Sequence, residues 1–476
     1  MFKNYEELEN YVKTNDIKMI DFKIVTLVGK WNHLTIPAAR LNPNMFKDGI
    51  GFDGSSYGYA VLEKSDMAFI PDLTTAFVDP YCVVPTLSMI ANIYELKGTR
   101  ERYEGDPRFI AEKAMKFLSK NDIADDFVIG PEFEFYVFDH ISYEVKNNHQ
   151  EVTIDSMEAP WNSNNKESNQ GYKTPFQRGY HAALPYDITN DLRAEMCLEL
   201  EEMGVPVKYH HHEVGAAGQL EIEVELGSML KMADATLIAK YIIKNTSIMH
   251  GKTATFMPKP LYGEAGSGMH VHMILKKKGK NIFYNENGYS GLSQEALYFI
   301  GGILKHSPSL LAFTNPSTNS YKRLVPGFEA PVSICFATAN RSSVIRVPGY
   351  ATSPEKKRFE FRPSDGTCNP YLAYSALLMA GIDGIINKID PTKEGFGPYD
   401  VNVFNLPAEE RSKIKALPKS LDEALEALEK DNEYLLHGGV FDKRFIENWI
   451  DYKRSKELMK IIPVPTPQEY GMYYDL

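Results

Sequence analysis

Four short runs of this chain alternate ionisable side chains with bulky apolar ones, which is the period of a β-strand. The runs are 130–138 (GPEFEFYVF), 218–226 (GQLEIEVEL), 269–273 (MHVHM) and 357–363 (KRFEFRP). Taken singly, each is typical of a half-exposed strand with its polar face in water. Residues two apart share a face, so Glu132 lies beside Glu134 and His270 beside His272. Taken together, the charged faces of mixed sign predict strands that line one polar cavity.

The side chains on these faces indicate what such a cavity would bind. The candidate ligands are Glu132, Glu134, Glu213, Glu221, Glu360 and His270. Converging carboxylates repel one another, and without a cation their pKa values would rise. Oxygen-rich sites suit magnesium or manganese better than zinc. Two such cations would roughly balance the negative charges, and a two-metal site is typical of phosphoryl transfer.

Motifs for other nucleotide chemistry are missing from the sequence. It contains no GxxxxGK[ST] phosphate loop, the run HHHEVGA lacks the second histidine of HExxH, and the GSG turn before His270 is too short for a dinucleotide fingerprint. Phosphate groups would therefore be bound by metal and by arginines that lie beside apolar strand sequence. These arginines are Arg323, Arg341, Arg346, Arg358 and Arg362.

Composition excludes several classes of protein. The 476 residues are 43% apolar and 24% charged, which is ordinary for a globular chain. A net charge of −11, with no dense basic run beyond residues 276–278, argues against a nucleic-acid partner. The four cysteines lack CxxC spacing, residues 1–10 lack a signal-peptide pattern, and Asp383 interrupts the most apolar segment. We therefore expect a reduced, cytoplasmic protein with no membrane span.

The chain changes character at the run YEGDPR, residues 103–108. Asp106 is a suitable N-cap and Pro107 suits the first turn of a helix. Short strands and loops are expected before this point and the bulk of the protein after it. The sequence thus predicts a domain at 1–105 and a second at 106–476.

Three local features are predicted in the larger domain. Residues 144–179, rich in Asn, Lys, Ser and Gly, predict a long surface excursion. A helix is expected from about residue 187 to 203, stopped by Gly204. Ser420 and Glu423 form a capping-box pattern at the start of another helix.

Eight segments resemble type I glutamine synthetase, in the same order along nearly the whole chain. They are FDGSS (52–56), GPEFEF (130–135), HHHEVGAAGQLEIE (210–223), GKTATFMPKP (251–260), GSGMHVHM (266–273), NSYKRLVPGFEAP (319–331), NRSSVIRVP (340–348) and RFEFRPSDGTCNPYLA (358–373). The resemblance implies an α+β fold. An N-terminal β-grasp-like domain would contribute the Asp53 loop to a neighbouring subunit, and the catalytic domain would be an incomplete antiparallel β-barrel surrounded by helices.

The resemblance also implies an activity and an assembly. The reaction would join L-glutamate to ammonia with ATP, through γ-glutamyl phosphate, in a homododecamer of two hexameric rings. Two other functions stay open. A γ-glutamyl ligase for another amine would be expected to lack part of the ammonium site, whereas Asp53 and Glu329 are both present. A non-catalytic regulatory assembly would be expected to have lost metal ligands, whereas all six are present.

The family's functional residues carry over position by position. The first cation would bind Glu134, Glu213 and Glu221, and the second Glu132, His270 and Glu360. ATP would contact Lys208, His272, Arg341, Arg346 and Arg358. Glutamate would contact Glu134, Gly266, Arg323, Glu329, Arg341 and Arg362. Ammonium would bind at Asp53, Ser56, Tyr180, Glu213 and Glu329, with Asp53, Glu329 and Arg341 as the catalytic residues. His210, His211 and His212 are expected to orient Glu213 or to support it from outside.

Two known modes of control in this family depend on residues that are replaced here. One attaches AMP to a tyrosine in a loop that corresponds to NVFNLP, residues 402–407, where Phe404 has no hydroxyl to modify. The other uses a feedback arginine shortly after the DGSS motif, and residues 57–62 contain no arginine. We therefore expect neither mode to operate.

Overall fold

A computed structural model describes residues 2–60, 65–97, 99–164, 170–326, 330–401 and 403–476. The predicted site residue Glu329, residues 61 and 62 after the DGSS motif, and the side chain of Phe404 lie outside the described part. No helix within these ranges is long and apolar enough to cross a membrane.

The N-terminal hundred residues form a mixed sheet with a helix packed on it. The elements are α1 (Tyr5–Thr14), β1 (Met19–Val25), β2 (Trp31–Pro37), α2 (Asn44–Lys47), β3 (Ile50–Asp53), β4 (Asp66–Pro71), β5 (Phe77–Val78), β6 (Thr86–Lys97) and β7 (Thr99–Arg102). The strand order is β2–β1–β6–β4–β3, and β1 and β6 run parallel. Leu8 and Val12 of α1 share an apolar core with Phe22 and Phe69 of the sheet.

The rest of the chain is built around a second, larger sheet. Its elements are α3 (Pro107–Lys120), β8 (Asp126–Phe138), β9 (His140–Lys146), β10 (His149–Asp155), α4 (Asn190–Glu202), β11 (Val207–His212), β12 (Gln219–Val224), β13 (Gly227–Ser228), α5 (Met229–Met249), β14 (Thr253–Thr255), β15 (Val271–Lys277), β16 (Lys280–Asn281), α6 (Gln294–Thr314), α7 (Ser320–Arg323), β17 (Ser333–Thr338), β18 (Ser343–Val347), β19 (Phe359–Phe361), α8 (Pro370–Ile386), α9 (Ala408–Arg411), α10 (Leu421–Lys430), α11 (Glu433–Leu436), α12 (Lys443–Lys453), α13 (Met459–Ile461) and α14 (Pro467–Tyr473). The strand order is β11–β12–β8–β15–β19–β18–β17.

The four alternating runs fall on β12, β8, β15 and β19, which are consecutive neighbours in this sheet. Their central residues are buried on both faces. Apolar side chains of these strands join one core with α5, α6 and α8, so the polar side chains point to the opposite face. The prediction that these strands present their ionisable side chains together is confirmed, and none of the four is a strand with its polar face in open water.

The local helix predictions are largely confirmed. Asp106 caps α3 by accepting a hydrogen bond from the backbone of Arg108. Ser420 likewise accepts from the backbone of Glu423, whose own carboxylate accepts from Lys419 rather than from the capping residue. Helix α4 begins at Asn190, later than predicted, and the Asp187 carboxylate before it accepts hydrogen bonds from Thr189 and from Arg193 of the helix.

The predicted excursion at 144–179 is more regular than its composition suggests. It begins inside an exposed antiparallel hairpin of β9 and β10, which pair from His140 with Asp155 to Lys146 with His149. The two residues between the strands are Asn147 and Asn148, and asparagine is common in tight hairpin turns. The polar composition of these strands concealed them, because both of their faces are largely exposed.

Candidate active site

The register of the large sheet places the predicted ligands opposite one another. On β12 and β8, Glu221 pairs with Glu134 and Glu223 pairs with Glu132. On β15 and β19, His272 pairs with Glu360. Directly opposite residues on neighbouring strands project to the same face. The charged side chains are therefore gathered on one side of the sheet by backbone pairing alone.

One group of potential metal ligands consists of Glu132, His272 and Glu360, whose nearest ligand atoms lie within 4.8 Å of one another. His272 Nε2 is 2.8 Å from Glu132 Oε1 and 3.3 Å from Glu360 Oε2. All three residues are at least nine-tenths buried. The resemblance places His270 with these two carboxylates, and the structure brings His272 within reach of both as well.

The second group consists of His211, Glu213 and Glu221. His211 Nε2 is 3.4 Å from Glu221 Oε2, and its Nδ1 is 3.7 Å from Glu213 Oε2. Glu134 faces this group from β8 and accepts a hydrogen bond from the backbone of Gly268 at 2.6 Å. The structure thus brings together the three carboxylates predicted for the first cation and adds an imidazole.

His270 lies between the two groups. Its Nδ1 is 2.7 Å from Glu132 Oε2, and its Nε2 is 3.7 Å from Glu134 Oε1. One imidazole therefore contacts a carboxylate of each group, so the two groups form a single continuous cluster. The assignment of His270 to the second cation stays a prediction, and His272 is a further imidazole within reach of the same carboxylates.

The carboxylates of the cluster have pKa values that are shifted in opposite directions. Burial acts to raise the pKa of Glu132, but hydrogen bonds from His270 and His272 outweigh it and hold that pKa well below its usual range. Burial also opposes the charge on Glu360, yet His272 and Arg362 lower its pKa to about 2. In contrast, burial and the surrounding carboxylates raise the pKa of Glu221 well above its usual range. Among the described residues, those that act most on Glu221 are other carboxylates.

The donor set fits divalent cations. Glu360 Oε2 and Glu223 Oε2 are buried and accept no hydrogen bond, and His272 Nδ1 has no partner either. A buried polar atom without a partner normally costs free energy, so such atoms at one place indicate a missing ligand. Several carboxylates with a few imidazoles are the ligands that magnesium and manganese accept.

The glycine turn before His270 permits an arginine to approach the cluster. A Cβ on Gly268 would lie 2.3 Å from the Arg323 guanidinium, and one on Gly266 would lie 2.7 Å from Arg323 Cγ. Arg323 is buried, donates to the carbonyl of Pro363 at 2.6 Å and reaches within 3.5 Å of His270 Nε2. The predicted glutamate-binding residues Gly266 and Arg323 are therefore in contact.

Comparison with known proteins identifies the family. The family model described as "Glutamine synthetase, catalytic domain" matches residues 104–473, and "Glutamine synthetase, beta-Grasp domain" matches residues 16–96. A glutamine synthetase of Streptomyces filamentosus is 48% identical over 477 residues, covering 100% of each chain. One from Haemophilus influenzae is 47% identical and covers 97% of each. The cryo-EM structure of Plasmodium falciparum glutamine synthetase matches with a TM-score of 0.88 and 31% identity over 99% of each chain.

The chain belongs to the glutamine synthetase family. It is accordingly a glutamate–ammonia ligase that forms glutamine with ATP and a divalent metal. The predicted fold class is confirmed, with an N-terminal β-grasp domain and a curled half-barrel sheet among helices. The alternatives, a ligase for another amine or a non-catalytic assembly, are not favoured by these relatives.

The residues predicted to bind nucleotide in this glutamine synthetase family member lie around the Glu132 side of the cluster. Lys208 donates to Glu223 Oε1 at 2.5 Å, and Arg346 donates to Glu360 Oε1 at 3.1 Å. Arg358 lies 5.5 Å from the centre of the Tyr350 ring, and its Nε has no partner.

Two predicted substrate arginines meet behind Glu360. Arg362 donates to Glu360 Oε1 at 2.7 Å and, through Nε, to the backbone carbonyl of Arg341 at 3.2 Å. Arg341 itself is exposed. The backbone of one arginine therefore helps to orient the other.

The predicted ammonium-site residues are divided between two parts of the chain. Tyr180 stacks on His181 at 4.0 Å and meets the His211 ring edge-on at 5.3 Å, so it lies beside the Glu213 group. Asp53 is exposed on the N-terminal sheet, where its carboxylate accepts hydrogen bonds from the hydroxyls of Ser55 and Ser56. These hydrogen bonds lower the pKa of Asp53.

Three features of the site were missed at the sequence level. Glu223 continues the alternation of Glu221, so its position was visible, but no role was given to it. His211 was expected only to support Glu213, although its ring faces two carboxylates. Glu158 is buried in the excursion and contacts His212, which no local pattern indicated.

Proposed function

We propose that the cluster holds two divalent cations, magnesium or manganese, one at Glu134, Glu213 and Glu221 and the other at Glu132, His270 and Glu360. The observation that carries this proposal is the set of buried carboxylate oxygens without hydrogen bonds, together with the raised pKa of Glu221. The cations would neutralise the charge on the phosphoryl group as it passes from ATP to glutamate.

The basic residues around the cluster would bind the two anionic substrates. Arg323 and Arg362 would hold the carboxylates of glutamate, with the Gly266 turn allowing close approach. Lys208, His272, Arg341, Arg346 and Arg358 would contact the nucleotide. Arg341 would also stabilise negative charge on the transferring group, because a guanidinium can bind two phosphate oxygens at once.

Amination requires ammonia rather than ammonium, since only the neutral form is a nucleophile. Tyr180, Glu213, Glu329, Ser56 and Asp53 would form the site that concentrates the cation. Asp53 and Glu329 would be the groups that accept its proton. The lowered pKa of Asp53 supports its role in concentrating the ammonium cation, because it keeps the carboxylate charged at neutral pH.

We propose further that Asp53 completes the site of a neighbouring subunit in a homododecamer of two hexameric rings. Its support is that Asp53 is exposed on the N-terminal sheet, whereas Glu213 directly follows β11 of the large sheet and Tyr180 packs on His211 of that strand. A location in the reducing cytoplasm is also proposed, and it is supported by the four cysteines being free.

The subunit-sharing proposal is tested by mixing two inactive variants, Asp53→Ala and Glu134→Ala. If the sites are shared, hybrid assemblies contain some sites with both residues intact, so activity returns after mixing and reassembly. Mass measured by light scattering checks that both variants form the same assembly. No recovery of activity in hybrid particles would show that Asp53 does not act across subunits.

The ammonium role is tested separately with hydroxylamine, which is already neutral at pH 7. Phosphate release is measured with glutamate, ATP and either nucleophile. Asp53→Ala is expected to impair the reaction with ammonium far more than that with hydroxylamine. An equal loss with both would contradict the assignment of Asp53 as a proton acceptor.

A further inference from the structure

The three consecutive histidines before Glu213 have different surroundings. His210 Nδ1 accepts a hydrogen bond from Arg193 at 3.2 Å, and His211 faces the carboxylates of Glu213 and Glu221. His212 is completely buried and turns to the other side of β11, toward the excursion. His212 is therefore the one of the three that links the excursion to the chain beside the cluster.

Both ring nitrogens of His212 are occupied. Nδ1 lies 2.7 Å from the backbone carbonyl oxygen of Glu213. A carbonyl oxygen only accepts, so Nδ1 carries a proton and donates it. Nε2 lies 2.8 Å from Glu158 Oε1. The Glu158 carboxyl therefore hydrogen-bonds the ring directly, and the two contacts together fix the orientation of the imidazole.

Both partners of this hydrogen bond are removed from solvent. His212 is completely buried and Glu158 is 1% exposed. A buried polar group that loses its hydrogen-bond partner costs free energy, so each residue depends on the other for its conformation.

The excursion is fixed against the Glu213 backbone at further points. The backbone of Gly179 donates to the carbonyl of Val214 at 3.0 Å, and a Cβ on Gly179 would lie 2.5 Å from the carbonyl oxygen of Glu213. Thr174 donates its backbone N–H to the carbonyl of Glu158 at 2.9 Å. The excursion thus contacts the backbone of Glu213 and Val214 at several points.

We propose that Glu158 is a positioning residue for the first cation site, acting on Glu213 through His212. The Glu158 carboxylate fixes the ring, the ring fixes the Glu213 carbonyl, and this sets the direction in which the Glu213 side chain leaves the backbone. Outer partners of this kind orient metal ligands and raise affinity. The inference rests on the proposed function of Glu213 as a cation ligand.

The test compares Mn²⁺ binding to the intact assembly of the wild type with that of Glu158→Ala, Glu158→Gln and His212→Asn. Bound Mn²⁺ is measured by electron paramagnetic resonance. Glu158→Ala is expected to weaken one of the two sites about 10- to 100-fold, as is usual for outer partners of metal ligands. Glu158→Gln keeps a polar contact to Nε2 and is expected to stay within a few-fold of the wild type. In His212→Asn the amide can still donate to the Glu213 carbonyl but is too short to reach Glu158, so it should resemble Glu158→Ala.

The matched control is Glu195→Ala. Glu195 forms an exposed pair with His250, with 2.7 Å between Oε2 and Nε2, on α4 and at the end of α5. Its removal is expected to leave Mn²⁺ affinity unchanged. A second readout is the recovery of kcat in Glu158→Ala at high Mn²⁺ concentration, which a general loss of packing would not produce.

The possible outcomes distinguish failure of this inference from failure of the proposed cation sites. If the wild type binds no Mn²⁺ saturably, the cation proposal itself is wrong, and the positioning role with it. If the wild type binds Mn²⁺ and Glu158→Ala binds it equally well, Glu158 does not position Glu213. Should Glu158→Ala fail to fold, wild-type affinity in His212→Asn would overturn the inference by itself.

Discussion

Histidines are buried between carboxylates in two regions of this enzyme. The regions differ in whether the surrounding polar atoms have hydrogen-bond partners. At the junction of α6, α8 and α10, His306 Nε2 lies 2.9 Å from Asp383 and Nδ1 lies 2.8 Å from Asp431, while the ring stacks on Tyr434 at 4.0 Å. In the active site, His270 and His272 both contact Glu132 within 2.8 Å.

The difference lies in what remains unsatisfied. In the junction each ring nitrogen has its own carboxylate, and these hydrogen bonds and charges raise the pKa of His306 against the effect of burial. In the active site, carboxylate oxygens of Glu223 and Glu360 remain buried without a hydrogen bond, and the pKa of Glu221 is raised. The junction is therefore complete within the chain, whereas the active site is completed by a ligand.

The largest expected effect comes from removing a cation ligand. Glu134→Ala should lower activity by more than about 100-fold, because its effect should exceed that of losing an outer partner of a ligand. It should also reduce the rise in melting temperature that Mn²⁺ produces. Steady-state phosphate release and thermal unfolding check both, with the exposed Glu202→Ala on α4 as control. Near wild-type activity in Glu134→Ala would mean that this carboxylate is not part of the working site.

Removing His306 from the junction should lower the stability of the protein and leave Mn²⁺ binding unchanged. His306→Ala leaves two carboxylates without their cation and should destabilise the protein by about 3 kcal/mol, the lower end for a buried pair because Asp431 is 40% exposed. The remaining folded enzyme should bind Mn²⁺ with unchanged affinity. Denaturant unfolding and Mn²⁺ titration measure the two quantities. A His306→Ala enzyme that is stable but binds Mn²⁺ poorly would contradict the difference between the junction and the active site.

The stability that the junction contributes should also depend on pH, and this effect is smaller than that of removing His306. Because the folded-state pKa of His306 lies above its unfolded value, its contribution is complete below the unfolded pKa of about 6.5 and is lost as pH rises through the folded value. Asp383 has a lowered pKa, so its contribution is lost only as pH falls through that value. The difference in unfolding free energy between wild type and His306→Gln should therefore shrink as pH rises above neutral. A constant difference from pH 6 to 9 would show that His306 is not a cation in the folded protein.

The two regions also differ in how far the sequence predicts them. Glu132, Glu134, Glu221 and His270 lie in alternating runs, and because period-2 runs that pair in one sheet share a face, their convergence could be predicted. His306 lies on α6, Asp383 lies on α8 and Asp431 directly follows α10, and nothing in the local sequence of one indicates the others. Their contact depends on how the helices pack.

Two other features also depend on tertiary structure. Glu158 meets His212 across 54 positions of the chain, and its own surroundings, SMEAP, have no periodic pattern. The β9–β10 hairpin is exposed on both faces, so its strands lack the apolar alternation by which strands are usually recognised. Long-range polar contacts and exposed strands are determined by tertiary structure rather than by local pattern.

The central claim, that the active-site cluster is completed by two cations, is tested most directly by counting bound Mn²⁺ per chain. The titration is followed by electron paramagnetic resonance for the wild type, Glu134→Ala, Glu360→Gln and His306→Ala. We expect two saturable sites in the wild type and in His306→Ala, and one fewer or one greatly weakened site in each of the other two variants. No saturable binding in the wild type, or equal binding in all four proteins, would contradict the account.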